Sequence, residues 1–191
     1  MTKTNYLEFE VTLLNVGPRL WRRFLLRPNF SFEELHGAIQ MACGWGFCHL
    51  YEFRDEDDEC IAGAEQIEDE GKVPPASSVT LKSYFKQAGQ ECMYIYDFGD
   101  YWEHRVKLVQ KVALPERFVQ RLTGGEGMFP PEDCGSTPGY EDCVMACRLT
   151  PAQISELDPD EREDILARKE WMGDWRPDGF DLEAAKMNFE R

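Results

Sequence analysis

Three histidines stand in this chain of 191 residues, each near side chains that could act with it. His36 falls within a helix-like stretch, His49 opens a β-prone run, and His104 sits on the second arm of a hairpin-like segment. Asp97 and Asp100 flank the turn ahead of His104, and Glu132-Asp133 could arrive from a Gly/Pro-rich stretch. A His/carboxylate set of this kind can bind a divalent metal, or serve as acid and base in a metal-assisted hydrolase or nuclease. The competing account is structural. His104 alternates in phase with Val106 and Leu108, so it should be buried with them, and a buried imidazole needs hydrogen-bond partners. The histidines are far apart, and no HExxH or Cys/His spacing fixes a metal geometry. Internal hydrogen bonding is the preferred reading. No cofactor is expected, with a divalent metal as the alternative.

Arg19, Arg22, Arg23 and Arg27 gather around Trp21. Guanidinium groups bind phosphate or carboxylate in bidentate fashion, so this could be an anion-binding or single-strand stacking surface. Pairing with strand carboxylates such as Glu8 and Glu10 is the favoured alternative. Seven cysteines form an odd set with no CxxC, which argues for reduced thiols over a disulfide framework. Cys43-x4-Cys48-His49 and the i, i+4 pair Cys143/Cys147 are better explained by packing than by ligation. No GxxxxGK[ST] loop, GxGxxG turn or GxSxG elbow supports nucleotide binding or serine hydrolysis.

The elements that must position these groups follow from periodicity. Residues 6–14 alternate as a half-buried strand, Gly17-Pro18 turns the chain, and 20–26 returns as the second arm of a hairpin. Ser31 and Glu34 make a capping box for a helix over 31–43, which Gly44 stops. A short strand runs over 49–53 and another around 60–62, within an acidic excursion over 55–70 that should stay in water. Ser78 caps a short helix carrying Leu81, Tyr84 and Phe85 inward and ending near Gly89. Residues 92–98 and 102–109 form a hairpin through Gly99-Asp100. The glycines and prolines from Gly124 to Gly139 predict an irregular loop. Helices follow over 139–148, over 159–171 with Asp158 as cap, and from Asp181 onward. The sum is an α+β fold, one domain over 1–191, with a largely antiparallel sheet, packed helices and a long Gly/Pro-rich loop.

Composition bounds the partners. Twenty-one basic against 36 acidic residues leave a net charge of −15, which disfavours broad nucleic-acid or anionic-lipid binding. Glu8 and Glu10 interrupt the N-terminal apolar residues, and no stretch reaches the roughly 20 apolar residues of a membrane helix, so a cytoplasmic protein is expected.

As an ordered set, several segments resemble the plasmid pRiA4b ORF-3-like family. They are Pro18-x-x-Trp21-Arg22-Arg23, Leu35-His36-x-x-Ile39-Gln40, Gly44-Trp45 through His49-Leu50-x-x-Phe53, Tyr94-x-Tyr96-Asp97-Phe98-Gly99-Asp100-x-Trp102-x-His104, Pro130-Pro131-Glu132-Asp133-x-Gly135 with Gly139-Tyr140, and Phe180-Asp181. The resemblance spans nearly the whole chain and implies an intracellular α+β protein, some relatives carrying a TnpR-like resolvase label. Relatives often place a Cys ahead of the PPED motif where Arg121 to Gly124 has none, so thiol ligation built on it does not transfer. A serine recombinase also needs a basic DNA-binding tail, whereas Asp174 to Arg191 is acidic to neutral.

Three functional readings follow. The first is a non-catalytic binding module, with Trp21, Arg22, Trp45, Tyr96 and Trp102 shaping an aromatic and polar groove for a protein, peptide or small ligand. The second is a metal-assisted hydrolase or nuclease built from His36, His49, Asp97, Asp100, His104, Glu132 and Asp133. The third is an accessory role in mobile-element DNA transactions, which requires a local basic face.

Overall fold

Leu7, Phe9, Val11 and Leu13 alternate with polar residues along β1 (Thr4–Leu13), which pairs antiparallel with β2 (Leu20–Leu26) as a hairpin. The computed structural model, which describes residues 3–66 and 73–190, places this hairpin within a seven-stranded sheet. The remaining strands are β3 (Tyr51–Arg54), β4 (Cys60–Gly63), β5 (Glu91–Tyr96), β6 (Trp102–Leu114) and β7 (Gln120–Glu126), in the order β4-β3-β5-β6-β1-β2-β7. Every strand pairing is antiparallel. With six α-helices beside this sheet, the fold is α+β.

The polar face of β1 is also covered, by side chains reaching over it from β2, β6, β7 and the turn before β2. Glu8, Glu10 and Thr12 are buried, where the alternation had implied a half-buried strand. Buried carboxylates need partners, and Glu10 is held by Arg19 and Arg23 while Glu8 accepts from Gln110 and Thr123.

α1 (Phe32–Cys43) begins at the expected capping box, with Ser31 and Glu34 bonding reciprocally, and ends at Gly44 in the left-handed conformation. It buries Phe32, Leu35, Ala38, Ile39 and Ala42. α3 (Ser136–Arg148), α4 (Pro151–Glu156), α5 (Pro159–Met172) and α6 (Leu182–Phe189) complete the helical layer beside the single-turn α2 (Leu81–Tyr84). Asp158 and Asp181 cap α5 and α6 as expected.

Four elements differ from the sequence reading. Ser78 closes a 3-10 turn over Ala76–Ser78, and Thr80 precedes α2, which stops at Tyr84, well short of Gly89. The Gly124-Gly125 pair lies inside β7, because large side chains of β2 and the C-terminal segment cross that strand. A Cβ on Gly124 would stand 3.2 Å from the Trp21 ring, and one on Gly125 would stand 2.8 Å from Arg22 Cδ. The glycines there admit neighbours instead of turning the chain. α3 starts three residues before the expected 139, at Ser136, and α4 is an additional helix, opened by a capping box of Thr150 and Gln153 with Pro151 at its first position. Of the acidic excursion, residues 55–66 contain a turn and β4, and 67–70 lie outside the described residues. Among the described residues, no helix is long and apolar enough to cross a membrane.

Candidate metal centre

His49 lies two residues before β3, Asp97 immediately follows β5, and Asp133 lies in the segment leading to α3. β3 and β5 are neighbours, with Tyr51 opposite Tyr96 and Asp97 N donating to Leu50 O at 2.9 Å, which brings His49, the next residue along, near Asp97. His49 Nδ1 is 3.7 Å from Asp97 Oδ1, and His49 Nε2 is 2.8 Å from Asp133 Oδ1. One donor atom from each of the three lies within 4.8 Å of the others.

The His49–Asp133 contact has a distance but not the alignment of a hydrogen bond, and Nε2, sealed from solvent, has no hydrogen-bond partner. Two donors of one tetrahedral cation, each about 2.0–2.2 Å from it, stand about 3.3–3.6 Å apart with no need to point at each other. The two carboxylates meet different ring nitrogens, so a cation held through one nitrogen reaches the other carboxylate at a longer spacing, within the 4.8 Å that bounds the three donors. One imidazole and two carboxylates suit a borderline divalent ion such as zinc or manganese. Asp133 is 66% exposed while Asp97 is 12% exposed, so the cluster is walled on one side and open on the other.

The backbone is specialised around it. Asp97, Asp133, Phe47 and Tyr101 all have positive φ, between 56° and 63°, a conformation that L side chains adopt rarely. Such conformations persist where the surroundings over-determine them, often at functional sites. Asp97 Oδ1, the atom nearest His49, also accepts from Gly99 N at 2.9 Å.

Two loops are stitched together to make the meeting possible. Trp45 Nε1 donates to Pro130 O at 2.9 Å, and Gly46 N donates to Glu132 Oε2 at 2.7 Å. Glu132 also accepts from the Tyr96 hydroxyl, which in turn accepts from Cys48 N at 3.2 Å. Burial and the Glu132 carboxylate both push the Tyr96 phenol upward, so it stays a proton donor. A Cβ on Gly46 would stand 2.9 Å from Glu132 Oε2, so only glycine admits this approach without displacement. Phe47 N donates to Gln40 Oε1 and Gly135 N to Asp100 Oδ2, each at 3.1 Å. Glu132 and Asp100 thus hold loops, while Asp133 and Asp97 face His49.

The other two histidines stand apart. His36 stacks on Tyr51 with ring centres 3.6 Å apart and shares a 2.7 Å hydrogen bond with Tyr94. Burial pulls its pKa down to about 3. His104 is fully buried, as its alternation implied, but its partners are not the carboxylates named from sequence. Nδ1 meets the backbone carbonyls of Trp102 at 3.1 Å and Tyr94 at 3.3 Å, while Nε2 has no partner. A carbonyl cannot donate, so Nδ1 carries the proton. Burial, partly opposed by those carbonyls, lowers its pKa to about 4.

The residues offered as a groove do not line one. Trp45, Tyr96, Trp102 and Arg22 are buried, and only Trp21 is partly exposed. Tyr96 and Trp102 lie on inner strands of the sheet, and Trp45, on the loop after α1, packs on Tyr96 and Phe129 and donates to Pro130 O. Arg22 donates to the carbonyls of Ala42, Trp21 and Glu126 and lies 3.6 Å from the Phe180 ring centre. Desolvation draws its pKa down to about 10. Arg27 donates to Phe118 O, and Arg19 and Arg23 share Glu10, so all four arginines are engaged within the fold. Burial raises the Glu10 pKa, but the hydrogen bond from Arg23 and the charge of Arg19 outweigh it and leave the carboxyl below its ordinary value. All seven cysteines are free. What the sequence reading missed is an apolar rim. Phe47, Leu50, Phe98 and Tyr101 are exposed on the two segments that carry His49 and Asp97. Part of the signal was available: Phe47 and Tyr101 fall outside the expected strands, whereas Leu50 and Phe98 fall inside the strand ranges read over 49–53 and 92–98 and lie just beyond the observed β3 and β5.

A family model described as plasmid pRiA4b ORF-3-like protein matches residues 5–184. An uncharacterised protein, y4hQ, from Sinorhizobium fredii (strain NBRC 101917 / NGR234) is 34% identical over 139 residues, covering 72% of this chain and 70% of the relative. The crystal structure of a protein of unknown function, MM3350 from Methanosarcina mazei Go1, superposes with a TM-score of 0.77 at 28% identity, covering 96% of this chain and 97% of the other.

Proposed function

This chain belongs to the plasmid pRiA4b ORF-3-like family, and from that premise we propose that it is a cytoplasmic metal-dependent protein whose centre is His49, Asp97 and Asp133, acting in hydrolysis of a small substrate. The relatives named above are themselves uncharacterised or of unknown function, so the reading rests on chemistry. The observation that carries it is the convergence of three donors from remote segments, with a solvent-sealed His49 Nε2 against Asp133 and no hydrogen bond between them.

Three protein ligands leave open positions, the pattern of catalytic rather than structural sites. A divalent ion held there would polarise a substrate oxygen and make bound water acidic enough to attack near neutral pH. The chain's own residues supply the rest. Asp97 is walled in and fixed by Gly99 N, so its carboxylate is presented beside His49 in one position. Glu132 is committed to Tyr96 and Gly46, so it positions Asp133 and does not act as a base. Phe47, Leu50, Phe98 and Tyr101 offer apolar contact to a substrate beside the open face. A charge of −15 favours a small substrate over a nucleic-acid polymer, and the engaged arginines give no support to a DNA-transaction role.

Calorimetric titration of chelator-treated protein with zinc and manganese tests the centre. Binding of one ion, weakened at least about tenfold by His49→Ala and by Asp97→Asn, is expected, with hydrolysis of chromogenic carboxylic or phosphoric esters by the loaded protein. Absence of binding removes the proposal. Stoichiometric binding with no turnover would reduce it to a metal-dependent ligand-binding module.

A further inference from the structure

A second region of the molecule is built for contact. α3 and α5 enclose a groove of about 740 Å³. Its floor and walls include Met145, Leu149, Leu157, Ile165 and Trp171. Met145 is 49% exposed and Trp171 is 51% exposed. Large apolar side chains clustered at a concave surface between helices mark an interaction site more often than scattered ones do.

The charge around the groove selects its occupant. α5 carries Asp160, Glu161, Glu163, Asp164 and Glu170, all exposed, and among the described residues none of them enters an ion pair within the chain. The basic residues of the same helix are turned inward. Arg162 donates to the carbonyls of Ile154, Ser155 and Leu157, Lys169 to Leu149 O, and Arg168 to Asp142 and the Cys143 thiol. The helix has therefore assigned its cations to hold α4 and α3 in place and left its carboxylates facing solvent. Glu161, Asp164 and Asp142 border the apolar floor directly.

We infer that the groove between α3 and α5 is a docking site for a basic amphipathic helix of another protein, which seats two or three large apolar side chains against Met145 and Trp171 while its Lys and Arg residues face Glu161 and Asp164. An apolar floor between two helices with a mainly acidic rim, on which the lining Arg168 is already paired with Asp142, is the geometry of helix-in-groove recognition. Methionine suits such a surface because its unbranched side chain adapts to varied anchors. A second copy of this chain is a poor occupant, because its acidic α5 would meet like charge at the rim. The site is independent of the His49 centre and stands whether or not that centre binds metal.

Fluorescence anisotropy with the full chain and three labelled peptides tests the proposal. One is a helical peptide with Leu and Trp at i, i+3/i+4 and i+7 and Lys or Arg elsewhere. The second has the same composition in shuffled order, and the third has Glu in place of every basic residue. The amphipathic basic peptide should bind at least about tenfold tighter than either control. Trp171→Ala and, separately, Met145→Lys should each weaken it about tenfold or more, the size expected of a central anchor, with circular dichroism confirming that both variants fold. Equal binding of the shuffled peptide, or indifference to both substitutions, would show attraction to net charge alone and overturn the proposal. Equal binding of the acidic peptide would overturn its charge argument. Self-association in sedimentation equilibrium that Trp171→Ala abolishes would assign the groove to a second copy and overturn it as well.

Discussion

Lowering the pH from about 7.5 to about 5.0 should weaken the fold through two buried histidines. His36 and His104 are held neutral, with pKa values drawn by burial from 6.5 to about 3 and about 4. The unfolded chain takes up protons at these positions as the pH falls through 6.5, whereas the folded chain does not until the pH nears the lowered values. Stability from each histidine is therefore complete above the unfolded pKa and declines as the pH falls below it. At about pH 5.0, roughly 1.5 units below that point, each costs about 2 kcal/mol at 1.36 kcal/mol per unit. Together they remove about 4 kcal/mol, a large part of the 5–15 kcal/mol typical of a domain. Glu10 works in a lower window: its depressed pKa contributes stability above 4.5 that is lost as the pH falls further. Urea unfolding followed by tryptophan fluorescence at the two pH values measures the loss. His104→Phe keeps a ring against Phe129 and Trp45 and should cut the pH-dependent loss by about 2 kcal/mol. Comparing the difference between the two pH values cancels the fixed cost of the substitution. A variant that loses as much as the parent chain between these pH values would refute the burial argument.

Two further outcomes follow from the loops. Glu132→Gln should leave the fold intact but loosen the junction with Tyr96 and Gly46, lowering zinc affinity in calorimetry by about 10- to 100-fold, the usual effect of losing a group that orients metal ligands. Gly139→Ala would set a Cβ 1.7 Å from the Cys134 carbonyl oxygen, a backbone atom that cannot swing aside. A loss of about 3 kcal/mol or more is expected, read as a drop in midpoint by thermal or urea unfolding.

The hairpin of β1 and β2, the capping box of α1 and the caps of α5 and α6 were legible because each rests on neighbours in sequence. β7 was not, since its two glycines carry the same letters as a turn, and only Trp21, Arg22 and Phe180 crossing that strand explain them. The candidate site was legible as a pool and not as a constellation. His49, Asp97 and Asp133 were all named; alternation marked His104 as buried, but nothing local shows that His36 packs against Tyr51 and Tyr94 or that Asp133 reaches His49 from a remote segment. His104 needed no carboxylate because backbone carbonyls lie within its reach. The aromatic groove failed for a related reason: Trp45, Tyr96 and Trp102 have chemistry suited to a ligand, but they pack on one another, Trp45 stacking on Tyr96 with centres 5.1 Å apart.

That stacked indole gives the molecule a built-in optical gauge. Trp45 is buried, its ring lies on Tyr96 and edge-on to Phe129, and its one polar bond crosses to Pro130 on the opposite loop. Any event that parts the two loops must break that bond and wet the ring, shifting its emission to longer wavelength. Docking and undocking of the loops can thus be followed in real time with no label attached, in a chain whose other tryptophans serve as internal references through single substitutions.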